Sequence, residues 1–281
     1  MGMDTETCER MVYCVRDDFE NGLEKRWNLT RVGGSEVTSA SSILRMSFEA
    51  AKEESYTNAQ IDDYTGLKRG RYPWRPPLRM EVRARASHPA AHIKGTGGRF
   101  ALVGTAGFGF WNLPFSTSGA LLRLPDAVWF FYASPPSRME LVPGSPGWGW
   151  KAQVVHSQRV GAVAAAIPTA ASVLWARFRG DQRQAAQWVQ RLSGTQEKML
   201  DAEFTEWHDY RLDWTRTEAR FYVDGTEVFQ ATNPPRGPLG FVVWIDNQYA
   251  IATPRGQLHF GTLNSGPEWL ELDSVTITPL S

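Results

Sequence analysis

The residues Trp244-Ile245-Asp246-Asn247-Gln248-Tyr249 put an acid and two amides at the end of an apolar run, Pro238-Leu239-Gly240-Phe241-Val242-Val243. Such a run reads as a buried strand, so the polar side chains at its end must find partners or face a cavity. Asp246 is therefore a candidate acid/base, with Trp244, Asn247, Gln248 and Tyr249 as candidate ligand contacts. A hydrogen-bonded strand end or turn accounts for the same residues equally well. His156, in Gln153-Val154-Val155-His156-Ser157, suits proton transfer because an imidazole titrates near neutrality, although a lone histidine is more often a satisfied structural residue. Glu140 is a third acid/base candidate, and a solvated surface acid is its simpler reading. The run Ala127-Val128-Trp129-Phe130-Phe131-Tyr132-Ala133 is aromatic instead of acidic. Alternation along a strand sends about half of these rings to each side, and Trp129, Phe131 and Tyr132 are the candidates for a ligand-facing surface.

The elements that position these residues are short β-type runs separated by glycine and proline: Ser42 to Phe48, Leu78 to Ala86, Arg99 to Val103, Ala127 to Tyr132, Tyr210 to Trp214, Ala219 to Val223 and Leu270 to Thr278. That spacing predicts an all-β sandwich or barrel. In Leu78-Arg79-Met80-Glu81-Val82-Arg83-Ala84 the apolar residues alternate with charged ones, placing Leu78, Met80, Val82 and Ala84 on one buried face. Asp224-Gly225, between two β-rich runs, predicts a tight hairpin with positive φ. The glycines of 104–109 and 95–98 lack the strand-loop-helix setting of a nucleotide site and read as turns. One stretch breaks the pattern: residues 158–205 turn Ala-, Gln- and Arg-rich and predict a helical insertion, placed as a lid or as an outer helix, within a single domain spanning 1–281.

Composition narrows the classes of function. Thirty basic and thirty acidic side chains give a formal net charge of +0, so no overall field draws in nucleic acid or an anionic membrane. The apolar part of the insertion is too short and too interrupted for a membrane span. Nothing at the N-terminus reads as a secretion signal, which predicts a cytoplasmic protein. Two cysteines, Cys8 and Cys14, are too few for a disulfide framework and read as reduced structural thiols. The pair His88 and His92 flanks Pro89, which breaks the helix that a zinc site of that spacing requires.

Three segments resemble glycoside hydrolase family 16 and its concanavalin A-like relatives: Asp17-Asp18-Phe19-Glu20-Asn21-Gly22-Leu23 with Trp27, Gly109-Phe110-Trp111-Asn112-Leu113-Pro114, and Trp207-His208-Asp209-Tyr210-Arg211-Leu212-Asp213-Trp214 running into Phe221-Tyr222-Val223-Asp224-Gly225. Leu272-Asp273-Ser274-Val275-Thr276-Ile277 resembles the closing strand. The resemblance implies a concanavalin A-like, two-sheet antiparallel jelly roll with a groove on its concave face. It places Trp111 in that groove and His156 where a groove-facing histidine is frequent. It also implies a structural calcium on the convex side, with Asp18, Glu20 and Asp273 as oxygen donors, and no organic cofactor.

The family's chemistry is another matter. A retaining glycosidase needs two carboxylates about 5 Å apart, carried at alternate positions of one strand. The corresponding strand here follows Leu124-Pro125, and Asp126 alone precedes its rings, so the resemblance implies the fold without that hydrolysis. The expected function is non-hydrolytic binding of a small hydrophobic or polyene-like molecule in an aromatic groove, extending to a cyclase or isomerase. The alternatives are a non-catalytic carbohydrate-binding protein, or a hydrolase with relocated acids drawn from Asp246, Glu140 and Asp126.

Overall fold

Alternating burial, not helix periodicity, organises the chain. The computed structural model describes residues 14–68, 71–91, 101–112, 126–139, 141–142, 144–156, 194–252 and 258–280. Those residues contain eighteen strands and no α-helix. The strands are β1 (Val15–Asp17), β2 (Asn28–Val32), β3 (Glu36–Ala40), β4 (Ile43–Phe48), β5 (Asn58–Asp62), β6 (Leu78–Ala86), β7 (Thr105–Trp111), β8 (Ala127–Ala133) and β9 (Arg138–Met139). They continue as β10 (Gly149–Val155), β11 (Gln196–Met199), β12 (His208–Trp214), β13 (Glu218–Val223), β14 (Thr226–Thr232), β15 (Gly240–Asp246), β16 (Gln248–Ala252), β17 (Leu258–Thr262) and β18 (Glu268–Pro279).

An eight-stranded sheet runs β14-β13-β12-β6-β18-β4-β3, with β1 added on β18, and a seven-stranded sheet runs β11-β10-β8-β7-β15-β5-β2. Every pairing within these two sheets is antiparallel, while β17-β16-β9 form a small third sheet. The strands of β6 fulfil their alternation: Leu78, Met80, Val82 and Ala84 point into the core between the sheets, and the charged residues between them do not. Opposite them the seven-stranded sheet contributes Phe108 and Phe110 from β7, Phe130 and Tyr132 from β8, Trp150 from β10 and Phe241 from β15. Each such side chain, fully buried, contributes about 1.5–3 kcal/mol. The two sheets thus make the jelly-roll sandwich that the sequence predicts.

The Asp224-Gly225 hairpin also forms, with Val223 opposite Thr226 and φ of 49° and 78° at the two turn residues. Three expectations change. Gly107 and Gly109 lie inside strand β7, not in a turn, and they do so because neighbours occupy the space above them. A Cβ on Gly107 would come within 2.3 Å of the Phe130 carbonyl oxygen and 2.9 Å of the Trp244 ring. Residues 101–103 form no strand, because Leu102 and Val103 spend their backbone groups on Tyr132, Pro89 and Glu268. Cys14 is disulfide-bonded, not a free thiol. The insertion expected over 158–205 lies outside the described residues at 157–193; its described end holds β11, an edge strand paired with β10. No helix among the described residues is long and apolar enough to cross a membrane.

Candidate functional site

The seven-stranded sheet has one face against the core and one turned outward, and alternation decides which residues each receives. On β8 the even-numbered Val128, Phe130 and Tyr132 enter the core, while Phe131 and Ala133 belong to a second apolar cluster with Val242, Trp244, Tyr64 and Tyr72. Trp111 and Trp129 pack against that cluster. The outward rings form a continuous series. Tyr72 and Tyr64 have centroids 5.3 Å apart, Tyr64 and Trp111 6.4 Å, Trp111 and Trp129 5.8 Å, and Trp129 lies 5.3 Å from both Phe131 and Trp244. Trp129 and Trp111 stay half-buried; Phe131 and Trp244 are 8% exposed.

The room for these rings comes from β7. Gly107 stands in register with both Phe131 and Trp244, and Gly109 with Trp129 and Val242. Without side chains there, rings from the strands on either side meet over the β7 backbone. Each indole N–H donates within the protein: Trp111 to the Tyr64 hydroxyl at 2.6 Å, Trp129 to Gln153 Oε1 at 2.8 Å and Trp244 to Thr105 Oγ1 at 2.9 Å. The polar edges are fixed, and the ring faces carry the remaining surface.

Polar groups flank the rings on both sides. Toward β11, Gln153 and Lys151 of β10 share this face with Glu197, which stands in register with Gln153. Glu197 accepts from Lys151 Nζ at 2.8 Å and from Gln153 Nε2 at 2.6 Å, and also takes the Ser145 hydroxyl. Lys151 and Glu197 are 3% and 1% exposed at their side chains, so this ion pair is buried. Its chain of bonds runs through Gln153 to the Trp129 indole and fixes that ring. Toward β2, Asp62 accepts from Asn28, Gln60, Thr65 and the Tyr64 backbone N–H. None of Lys151, Gln153, Glu197 or Asp62 was singled out from the sequence. The signal for the first two is their place at alternate positions of an otherwise apolar strand.

Asp246 ends this face on β15. It is fully enclosed, accepts from Thr105 Oγ1 at 2.8 Å and the Gln248 N–H at 3.0 Å, and lies 3.4 Å from the Tyr56 hydroxyl. Burial pushes its carboxyl up to about 6, against the lowering effect of those hydrogen bonds. The acids on the face stand far apart. At about 4.8 Å between strands and 3.4 Å per residue, Glu197 is roughly 24 Å from both Asp246 and Asp62, and Asp62 and Asp246 are roughly 14 Å apart. Among the described residues no two acids on this face approach the roughly 5–9.5 Å that either glycosidase geometry requires.

Other sequence candidates go elsewhere. Tyr132 points into the inter-sheet core, where its hydroxyl donates to the Leu102 carbonyl at 2.6 Å, because an even position on β8 cannot share a face with Trp129 and Phe131. His156 pairs with Asp126 at 3.1 Å one step beyond Val155 and Ala127, past the ends of β10 and β8. Asn247 is a staple: it accepts from the Thr57 N–H and donates to the Lys52, Ser55 and Leu263 carbonyls. Gln248 is exposed, and Tyr249 leaves for the small sheet, stacking on His259 at 5.5 Å. Glu140 lies outside the described residues. Of the calcium donors expected, Asp18 caps the Glu20 N–H and Asp273 lies 3.8 Å from Arg83. Among the described residues no three His, Cys, Asp or Glu converge as a metal site.

Comparison with known proteins agrees with this architecture. Residues 179–249, about a quarter of the chain, match the family model described as Glycosyl hydrolases family 16. No curated protein matches. Among solved structures, one reported under endo-acting O-glycanases of the human gut microbiota aligns over 95% of this chain and 99% of its own, at 16% identity and a TM-score of 0.50. The GlcNAcα1-4Gal-releasing endo-β-galactosidase of Clostridium perfringens aligns over 94% and 61%, at 11% identity and a TM-score of 0.51. The Crh5 transglycosylase in complex with NAG aligns over 96% and 85%, at 13% identity and a TM-score of 0.51. The chain thus shares a two-sheet antiparallel fold with these structures over nearly its whole length, and its residues 179–249 are similar to glycosyl hydrolases family 16.

Proposed function

We propose that the protein binds carbohydrate on the outward face of its seven-stranded sheet and does not hydrolyse it through paired carboxylates. The observation that carries this reading is the ring series Tyr64–Trp111–Trp129–Trp244 flanked on one side by Gln153 and Glu197 and on the other by Gln60 and Asp62. Sugar rings offer apolar faces for stacking and hydroxyl edges for amides and carboxylates, which is the pattern this face presents. On its outward side β8 presents Trp129, Phe131 and Ala133, and the acids elsewhere on the face are separated by more than a glycosidic bond spans. The match over 179–249 supports the sugar ligand.

Calorimetric titration against soluble β-linked hexaoses, run beside a reducing-sugar assay, tests the reading. The expected result is binding that Trp129→Ala weakens by about tenfold or more, for one lost stacking platform, without new reducing ends. Release of reducing sugar, or no binding by any glycan tested, would overturn it.

A flat hydrophobic or polyene-like ligand is the second reading. Its support is that all three indole N–H groups are already bonded within the protein, leaving apolar faces outward. Quenching of tryptophan fluorescence by a polyene, with no response to hexaoses, would favour this ligand.

A further inference from the structure

The small sheet leaves an apolar ring uncovered beside the outward face. Its register pairs Thr262 with Gln248, Phe260 with Ala250 and Met139 with Ala252, while Gly261 pairs with Tyr249 and His259 with Ile251. Paired residues share a side and sides alternate, so Met139, Phe260 and Thr262 project from one side and Tyr249 and His259 from the other. The first side is turned toward the body of the protein: Met139 packs against the outward ring cluster, and the Thr262 hydroxyl donates to the Glu53 carbonyl. Phe260 shares that side and is nevertheless 61% exposed, so the space beneath it is open to solvent. A second exposed ring stands at the same end. Tyr56 is 37% exposed, and its hydroxyl is turned to the enclosed Asp246 at 3.4 Å, which leaves the ring as its outward surface. Asn247 ties the two ring-bearing segments together: it accepts the Thr57 N–H and donates to the Ser55 carbonyl, on either side of Tyr56, and donates to the Leu263 carbonyl just past β17.

We propose that Phe260 and Tyr56 form an accessible stacking rim at the Asp246 end of the outward face, which holds the units of a bound carbohydrate chain that extend beyond Trp129. This rests on the carbohydrate reading above and adds the length of ligand that the face requires. Trp129 and Asp246 are two strands and four residues apart in register, roughly 17 Å by strand spacing and rise. A disaccharide stacked on Trp129 falls short of the rim, whereas a hexaose reaches it. Apolar rings beside an open gap suit the C–H faces of sugar units, and Asn247 is the positioning residue that sets the two segments against one another.

The test titrates the full chain with laminarihexaose, cellohexaose and chitohexaose and records the melting temperature of each variant. Phe260→Ala is expected to leave the melting temperature unchanged, because so exposed a ring adds little to the core, and to weaken hexaose binding by about threefold to tenfold, as for one lost stacking contact. Phe260→Tyr keeps a ring and is expected to bind as the unaltered chain does. Leu29→Ala, at a side chain 42% exposed on β2 but turned to the core side, is expected to change neither quantity. Unchanged hexaose affinity in Phe260→Ala, with Trp129→Ala still weakening it, would overturn the rim and leave the carbohydrate reading intact. A melting temperature several degrees lower in Phe260→Ala would show that the ring serves the fold and would also overturn it. If no hexaose binds the unaltered chain, the carbohydrate reading falls and takes the rim with it.

Discussion

The two sheets expose outer faces built from similar residue types to opposite effect. On the eight-stranded sheet Trp269 and Trp207 sit in a ladder of guanidinium groups: Arg45 lies 4.9 Å and Arg85 5.4 Å from the Trp269 ring centroid, and Arg85 4.6 Å and Arg83 5.8 Å from that of Trp207. Glu271 stands in register with both Arg45 and Arg85 and accepts from each, at 2.7 and 2.9 Å. Cation, ring and acid satisfy one another there, with the guanidinium groups partly in water around an enclosed Glu271. On the seven-stranded sheet the tryptophans contact other rings instead, and the charged groups, Lys151, Glu197 and Asp246, are enclosed. The first face closes its interactions among its own cations, rings and acid, whereas the second encloses its charges and leaves the faces of Trp111 and Trp129 half-buried.

The comparison can be broken at several points, and the largest effect is expected at the buried ion pair. Lys151→Met leaves Glu197 enclosed without its cation and should lower stability by about 3–5 kcal/mol by chemical denaturation, whereas Lys151→Met with Glu197→Met should recover much of that loss. A single variant as stable as the unaltered chain would mean that the pair is solvated. Gly109→Ala comes next: φ is 144° and a Cβ would lie 2.6 Å from Trp129 Cα, so a loss of about 1–3 kcal/mol is expected, with altered tryptophan fluorescence. The enclosed acids give a smaller, pH-dependent effect. Burial raises Asp246 to about 6 and Glu268 to about 8, so the folded chain holds these protons more tightly than the unfolded one. The stability they contribute is complete below the unfolded carboxylate range near pH 4 and is lost as pH rises through 6 and then 8. The melting temperature should fall over that window, and Glu268→Gln should flatten its upper part; a curve that rises instead would refute the assignment. The smallest effect belongs to the other face, where Arg85→Gln should cost no more than about 1 kcal/mol, since exposed cation–π contacts are weak and Arg45 still serves Glu271.

Much of this fold is legible locally. The alternation of Leu78 to Ala84, the Asp224-Gly225 turn and the segment Trp207 to Gly225 each depend on neighbours in sequence, and backbone geometry translates period-two patterning directly into faces. The same rule assigns half of Trp129, Phe130, Phe131 and Tyr132 to each side but leaves the parity open, since both sides of this strand are apolar. Register with β7 and β10 resolved it, sending Tyr132 inward and Trp129 outward.

What the sequence settled by itself is therefore the period, the turns and the aromatic character of β8. Tertiary structure alone decided that Gly107 and Gly109 clear space for rings from neighbouring strands, that Lys151 meets Glu197 across 46 residues, and that Asn58 lies beside Asp246 from 188 positions away. The physical reason is that hydrogen-bond register between distant strands fixes which side chains share a row, and no local pattern encodes register.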